Sequence, residues 1–409
     1  MRLSSLFSIF LMGFALFSFA STSPAAIVVS TVSELVDAVN NTQNGGDRTI
    51  LIADGNYLLN GSYLRVAVDN VTVRSQSGVR ESVILDGNYQ TTEVFQVVSS
   101  NTTISDITIK RAYDHPIHVM ATASNDVENT LISNVHIIDP GQQAIKINPD
   151  AGRTHFVNNG RITGSFIELT AAGRTNVWDR NGSCYTGGVD GHQAEGWVVE
   201  DNEIRGFWCS GGLAEHGVHF WSNSSNTLVQ RNRIIDCDRG IGFGLGSSGH
   251  SGGIIRNNMI YHGEDHGVSD VGIGLESATG TQVYNNTIFQ EHSYPNSIEY
   301  RFEDSSNLTI VNNLTNRVIA SRQGGSTALL AHNVTSAVED WFVDTENGNL
   351  HLNSEREGVT GAAITIPGLI DDCDKENRPQ GTGLDIGADE YADVQNSRIT
   401  ISWLLLLLN

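Results

Sequence analysis

A short run of β-branched residues followed by an asparagine recurs along this chain, and that repeat limits what the chain can fold into. Its clear instances are Leu131-Ile-Ser-Asn134, Phe156-Val-Asn-Asn159, Val199-Glu-Asp-Asn202, Val229-Gln-Arg-Asn232, Ile255-Arg-Asn-Asn258, Val283-Tyr-Asn-Asn286 and Ile310-Val-Asn-Asn313; weaker members end at Ser75 and Asp106. Successive steps run from 25 to 43 residues. Segments this short, rich in Val, Ile and Thr and punctuated by Gly, Asn and Asp, read as strands joined by turns. One unit cannot bury its own apolar face, so units must stack on their neighbours. A coil of ~27 residues with about three short strands predicts an all-β chain: a single-stranded parallel β-helix of about ten coils. The corner asparagines are then structural, adopting left-handed backbone and hydrogen-bonding the asparagine one coil away. Residues 31–40, with Thr31 and Glu34 in capping-box spacing, predict an N-terminal helical cap, and residues 46–57 begin the first coil.

A second strand, of the form small–Ile/Val–x–apolar–x, follows the corners. Six copies align without gaps: Ala144-Ile-Lys-Ile-Asn148, Gly188-Val-Asp-Gly-His192, Gly217-Val-His-Phe-Trp221, Gly240-Ile-Gly-Phe-Gly244, Gly272-Ile-Gly-Leu-Glu276 and Ser297-Ile-Glu-Tyr-Arg301, with His115-Pro-Ile-His-Val-Met120 ahead of them. Alternation along a strand turns the Ile/Val positions inward and both x positions outward. Stacking ~4.8 Å apart then makes two outward columns. One reads His118, Lys146, Asp190, His219, Gly242, Gly274, Glu299; the other reads Met120, Asn148, His192, Trp221, Gly244, Glu276, Arg301. Two histidines, a lysine and an aspartate fall within three rungs beside an outward tryptophan. Glycines 242, 244 and 274 clear a floor before the Glu276, Glu299 and Arg301 cluster. The pattern predicts a groove for sugar, with Trp221 stacking on a ring face and Asn148, His118, Glu276 and Glu299 lining it. The long step places residues 165–186, with Arg174, Trp178, Arg180, Cys184 and Tyr185, as an insertion walling that groove. Two further loops, residues 247–252 with His250 and residues 261–270 with His262, Asp265 and His266, are also expected.

Residues 1–20 carry a positive start, an apolar stretch and Ser18-Phe19-Ala20 as a cleavage site, which reads as a secretory signal. Export fits four cysteines without metal-type spacing, of which Cys209 and Cys237 are the preferred disulfide and Cys184 and Cys373 the remainder. The domains expected are the β-helix over 27–345, a C-terminal segment over 346–392 and an apolar tail over 393–409 too short to span a bilayer. The formal net charge of −22 argues against nucleic acid or anionic lipid as partner, since both need clustered positive charge. Lysine occurs only at 110, 146 and 375, which makes Lys146 in a groove notable.

With these repeats the chain resembles the secreted right-handed parallel β-helix proteins of the pectate-lyase-like superfamily over roughly Ile27 to Val343, which implies that its coils are right-handed. The stretch Asp372-Cys-Asp-Lys-Glu-Asn-Arg-Pro-Gln-Gly381 through Asp385-Ile-Gly-Ala-Asp-Glu-Tyr391 is similar to the tail of bacterial choice-of-anchor surface proteins. The resemblance implies a secreted, cell-surface or periplasmic monomer acting on an acidic polysaccharide. Asp190-Gly-His192-Gln also resembles the Asp-Pro-His-Glu segment of alginate C5-epimerases, which implies catalytic roles for Asp190 and His192; Gly191, Gln193 and Gly187 depart from that pattern.

Lyases and C5-epimerases of uronates abstract a proton α to a carboxylate, so they need a base, a group neutralising the carboxylate and a proton donor. Lys146, His192 and His219 supply acids and bases, Asp190 orients a histidine, and Arg301 clamps a carboxylate. Beside Asp190, Lys146 should hold its proton tightly, which favours a histidine as base. Ca²⁺ is a possible ligand of Glu299, Glu303 and Asp304, or of the acidic run 371–374. The alternatives are a glycoside hydrolase using Glu276 and Glu299 on adjacent rungs, and a glycan-binding surface centred on Trp221. The chain contains no phosphate-binding glycine loop: residues 240–246 lack the lysine such a loop needs.

Overall fold

The computed structural model describes residues 26–263, 268–325 and 327–392. The expected signal and apolar tail, and Asp265 and His266, lie outside them. Three parallel sheets run the length of the molecule. The first has 12 strands, from Ala26–Val29 to Ala328–Ala331; the second and third have 10 each, from Gly55–Leu58 to Leu314–Thr315 and from Leu64–Val66 to Val318–Arg322. The chain visits the three walls in turn and each strand pairs with its counterpart one coil away, so the chain is a single-stranded right-handed parallel β-helix.

The inward position of each rung explains why the coils hold. Ile132, Ile162, Val199, Val229, Ile255 and Val283 stack in register in the first wall, and Ile117, Ile145, Val189, Val218, Ile241, Ile273 and Ile298 in the third, all completely buried. Each such side chain contributes about 1.5–3 kcal/mol on burial. At the N-terminus, the helix Val32–Asn41 closes the first coil with Leu35, Ala38 and Val39, and its Thr31–Glu34 capping box is present as expected.

The corners divide two jobs between neighbouring residues. Left-handed backbone belongs to Asp201, Arg231, Asn257, Asn285 and Asn312, whereas the asparagine after each one faces inward. These inward side chains form a ladder, in which Asn202, Asn232, Asn258, Asn286 and Asn313 each donate Nδ2–H to the next asparagine's Oδ1 at 2.9–3.0 Å, ending on Asn333. The expectation that one asparagine does both is corrected for these coils, and holds for the left-handed backbone at Asn134. Phe156–Asn159 is not a rung either. Val157–Asn158 pairs with Val127–Glu128 in a separate small sheet, and the wall strand is Arg161–Thr163, turning at left-handed Gly164.

The left-handed asparagines also receive the C-terminal segment. Asn285 Nδ2 donates to the Asp385 and Gly387 carbonyls, Asn312 Nδ2 to Ile364, and Asn257 Nδ2 to Asp371. Arg378 and Glu390 form a fully buried ion pair inside that segment. Its anchor-like motif therefore packs on the corner of the β-helix.

Candidate functional site

Register in the third wall reproduces both outward columns. Lys146 lies opposite His118 and Asp190, Asp190 opposite His219, and His192 opposite Trp221. At these rungs the side chains converge. Lys146 Nζ donates to Asp190 Oδ2 and approaches His192 Nε2 at 3.1 Å, and His192 Nε2 lies 3.1 Å from the same carboxylate oxygen. Trp221 Nε1–H donates to Asp190 Oδ1 at 2.9 Å, and the Trp221 ring meets His192 edge-on with centroids 4.4 Å apart.

Burial grades the cluster. Lys146 and Asp190 are 7 % and 5 % exposed, while His192 and Trp221 remain partly open to solvent. Burial alone would raise the Asp190 carboxyl, but the His192 hydrogen bond and the Lys146 charge outweigh it and hold it well below the usual carboxylate range. Asp190 is thus a fixed anion that accepts hydrogen bonds from Lys146 and Trp221 and orients His192.

His219 is placed differently from its expected catalytic role. It is 1 % exposed, donates Nε2–H to the Gly244 carbonyl at 3.1 Å, and stacks beneath Trp221 with centroids 5.6 Å apart. Its other nitrogen lies 3.7 Å from Asp190, beyond hydrogen-bond reach. Burial keeps it below the ordinary histidine value despite the pull of Asp190. His219 therefore supports Trp221 from within. His216, which the column pattern missed because it precedes the aligned segment, packs on His219 at 4.2 Å and is also held low by burial.

His216 also corrects the glycine floor. A Cβ on Gly242 would lie 2.4 Å from His216 Nε2, so this glycine makes room for an imidazole and not for sugar. Gly244 adopts φ +79°, and a Cβ there would meet the Glu276 carbonyl at 1.7 Å, so its place is set by the turn.

Upstream, His118 bridges Glu93 Oε1 at 2.6 Å and Asn148 Oδ1 at 3.0 Å. Met120, also partly exposed, completes this end of the second column. Downstream, the structure does not bring Arg301 to the cluster. It stands four rungs from His192, roughly 19 Å away at ~4.8 Å per rung, and is paired with Glu276 at 2.5 Å and with Gln323. Glu276 also accepts from Gly246 N–H, and Glu299, 1 % exposed, is held by Tyr294, Asn296 and Arg322. A different cation sits nearer the cluster. Arg153 donates to Gln193 Oε1 at 2.8 Å and Ser222 Oγ at 3.0 Å, the residues immediately after His192 and Trp221.

The insertion is partly as expected. Phe166–Glu168 is a wall strand, and the rest forms the helix Ala171–Asn181. That helix docks through the Arg180–Asp114 ion pair, Arg180 over Tyr113 and Arg174 over Trp208. It also delivers Cys184 to Cys209, and these two form the disulfide. The expected Cys209–Cys237 pairing is corrected: Cys237 is a free thiol buried in the core beside the Ile204 and Ile235 carbonyls. His250 is buried in a short strand, His250–Ser251. It is 2 % exposed, stacked on Phe243 at 4.0 Å, and burial lowers its pKa to about 3. His262 lies in the second wall, buried.

Among the described residues, potential metal ligands gather in two groups, Glu215–His216–His219 and His351–Cys373–Asp374–Asp389. Glu299, Glu303 and Asp304 form no such group.

No protein-family model and no curated protein matches the chain. Among solved structures it is similar to an alginate lyase from Paenibacillus sp. (14% identity, TM-score 0.49, covering 76% of this chain and 99% of that one). It is also similar to the A-module of an Azotobacter vinelandii mannuronan C-5 epimerase (15%, 0.41, 75% and 91%) and to a Streptococcus pneumoniae surface adhesin (10%, 0.38, 74% and 87%). Lyase, epimerase and adhesin share the coil, so fold does not choose among them.

Proposed function

We propose that the chain is a polysaccharide-active enzyme, a lyase or C5-epimerase of a uronate-containing polymer. The observation that carries this reading is the Lys146–Asp190–His192 contact beside Trp221. His192 Nε2 lies between a cation and an anion, and none of the described residues hydrogen-bonds its Nδ1. With Nε2–H donated to Asp190, Nδ1 carries the lone pair and acts as base. With Nε2 accepting from Lys146, Nδ1 carries the proton and acts as acid. One imidazole so placed takes the proton from C5, α to the carboxylate, and can return one.

The electrons of the broken C5–H bond pass into the uronate carboxylate, which then needs positive charge. Lys146 supplies it from within the cluster, and Arg153 at the edge takes the clamp role that distance denies Arg301. In a lyase the C4–O4 bond then breaks to leave a C4–C5 double bond, the departing oxygen taking a proton. In an epimerase C5 is reprotonated from the opposite face by a donor other than His192, such as solvent, while His192 retains the proton it removed. Trp221, held by Asp190 and backed by His219, offers a fixed aromatic face to a sugar ring. Paired-carboxylate hydrolysis gains no support, because Glu276 and Glu299 are each committed to an arginine.

The test is a panel of alginate, pectate, chondroitin and a neutral glycan, with and without Ca²⁺. Ultraviolet absorbance of unsaturated uronate rising with reducing ends indicates a lyase, and C5 exchange alone an epimerase. Reducing ends without absorbance would overturn the reading in favour of hydrolysis, and binding without turnover in favour of a glycan-binding surface.

A further inference from the structure

The C-terminal segment brings together four donor side chains that the β-helix chemistry leaves unused. His351 lies on the strand Asn349–Leu352, which pairs with Phe342–Asp344. Cys373 and Asp374 come from a turn some twenty residues on, and Asp389 from the last described stretch. Their ligand atoms all lie within 4.8 Å of one another. We infer that His351, Cys373, Asp374 and Asp389 form a zinc site that staples the C-terminal segment.

The second layer of contacts is already set for a metal. Asn349 Oδ1 accepts from His351 Nδ1–H at 2.5 Å, which orients the ring so that Nε2 donates to Asp374 Oδ2 at 2.6 Å and lies 3.7 Å from Cys373 Sγ; loss of the Nε2 proton would free that nitrogen for a metal. A histidine ligand whose other nitrogen donates to an oxygen is the usual arrangement in metal sites. Two ligands on tetrahedral zinc, with bonds of about 2.3 Å to sulfur and 2.0–2.1 Å to nitrogen, stand roughly 3.6 Å apart, which the sulfur–nitrogen spacing matches. Asp389 Oδ2 is anchored by Leu352 N–H at 2.9 Å. The turn carrying Cys373 and Asp374 is held by Asp372, which accepts from the backbone of Asp374, Glu376 and Glu390.

Donor chemistry selects the ion. A thiol and an imidazole beside two carboxylates suit Zn²⁺, whereas Ca²⁺ and Mg²⁺ take oxygen cages. The acidic run 371–374 provides no such cage, because Asp371 pairs with Arg231 and Asp372 binds backbone. A cavity of about 390 Å³, lined by His351, Cys373, Asp374, Lys375, Arg231 and Met259 among others, gives the ion a way in. On binding, the Cys373 S–H bond is exchanged for S–Zn and its proton goes to solvent, as does any proton on His351 Nε2.

The test uses the full chain, stripped with a chelator and titrated separately with Zn²⁺ and Co²⁺. The expected result is one saturable equivalent, a thiolate-to-cobalt charge-transfer band with the strong visible bands of a tetrahedral site, and a higher Tm with Zn²⁺. Cys373→Ser should abolish the charge-transfer band and weaken Zn²⁺ binding at least about tenfold, and Asn349→Ala should weaken it by about 10–100-fold while keeping the band. In the unmutated chain, Zn²⁺ should protect Cys373 from alkylation, a readout independent of any variant's folding. Absence of saturable binding, a cobalt spectrum without the thiolate band, or equal alkylation with and without Zn²⁺ would overturn the proposal. A band retained in Cys373→Ser would do the same.

Discussion

Asp190→Asn probes the cluster through stability as well as activity. The substitution is isosteric and keeps an oxygen for the Trp221 indole, but it leaves Lys146, 7 % exposed, with no counter-charge. Removing one partner of a buried pair costs about 3–5 kcal/mol, chiefly through the uncompensated charge left behind. The retained Trp221 bond places the expected loss near the low end, about 3 kcal/mol. Adding Lys146→Met removes the stranded cation, so the double variant should regain most of the loss. The pH dependence has a definite sign. The folded carboxyl titrates below its unfolded value of about 3.8, so its contribution is complete above that pH and is lost as pH falls through the folded value. The stability gap between the parent chain and Asp190→Asn should stay constant from about pH 5 to 8 and close in acid. Urea unfolding of all three proteins across that range is the assay. A single variant within about 1 kcal/mol of the parent, or a double variant less stable than the single, would refute the buried-pair argument.

His192→Ala should lower turnover by about 10²–10⁴-fold, measured under saturating polymer, with little change in Tm because the side chain is partly exposed. Arg153→Ala should raise KM more than it lowers kcat, with Lys in its place restoring part of the loss. Asn232→Ala strips partners from the Asn202 N–H and the Val199 carbonyl, both in the buried ladder, and should cost about 2–6 kcal/mol by denaturant unfolding. Peptide mapping without reduction should find Cys184 joined to Cys209 and Cys237 free; Cys184→Ser should destabilise the chain by about 2–4 kcal/mol.

Much of the fold was legible because the coil repeats its chemistry. Inward Ile and Val recur at a fixed place in each rung, and alternation then assigns the outward columns without further information. Lys146, Asp190, His192 and Trp221 were visible for that reason. What the sequence hid depends on contacts between segments. Phe156–Asn159 copies the rung pattern but pairs in a side sheet, and only the next residues, Arg161–Thr163, lie in the wall. Cys184 reaches Cys209 because a helix crosses the coils, which no cysteine spacing reveals. Arg153 lies between strands, outside any register. His216 left one readable trace: it opens a wall strand whose neighbour one coil on carries glycine at 242, the space its ring fills.

The most direct test of the central claim is solvent deuterium at C5 of a polyuronate incubated with the full chain in heavy water, read by mass and NMR of the sugar alongside the ultraviolet absorbance of unsaturated product. The account predicts either deuterium at C5 or unsaturated ends on one acidic polymer, both lost in His192→Ala. Turnover of such a polymer with neither signal, or either signal surviving undiminished in His192→Ala, would contradict it.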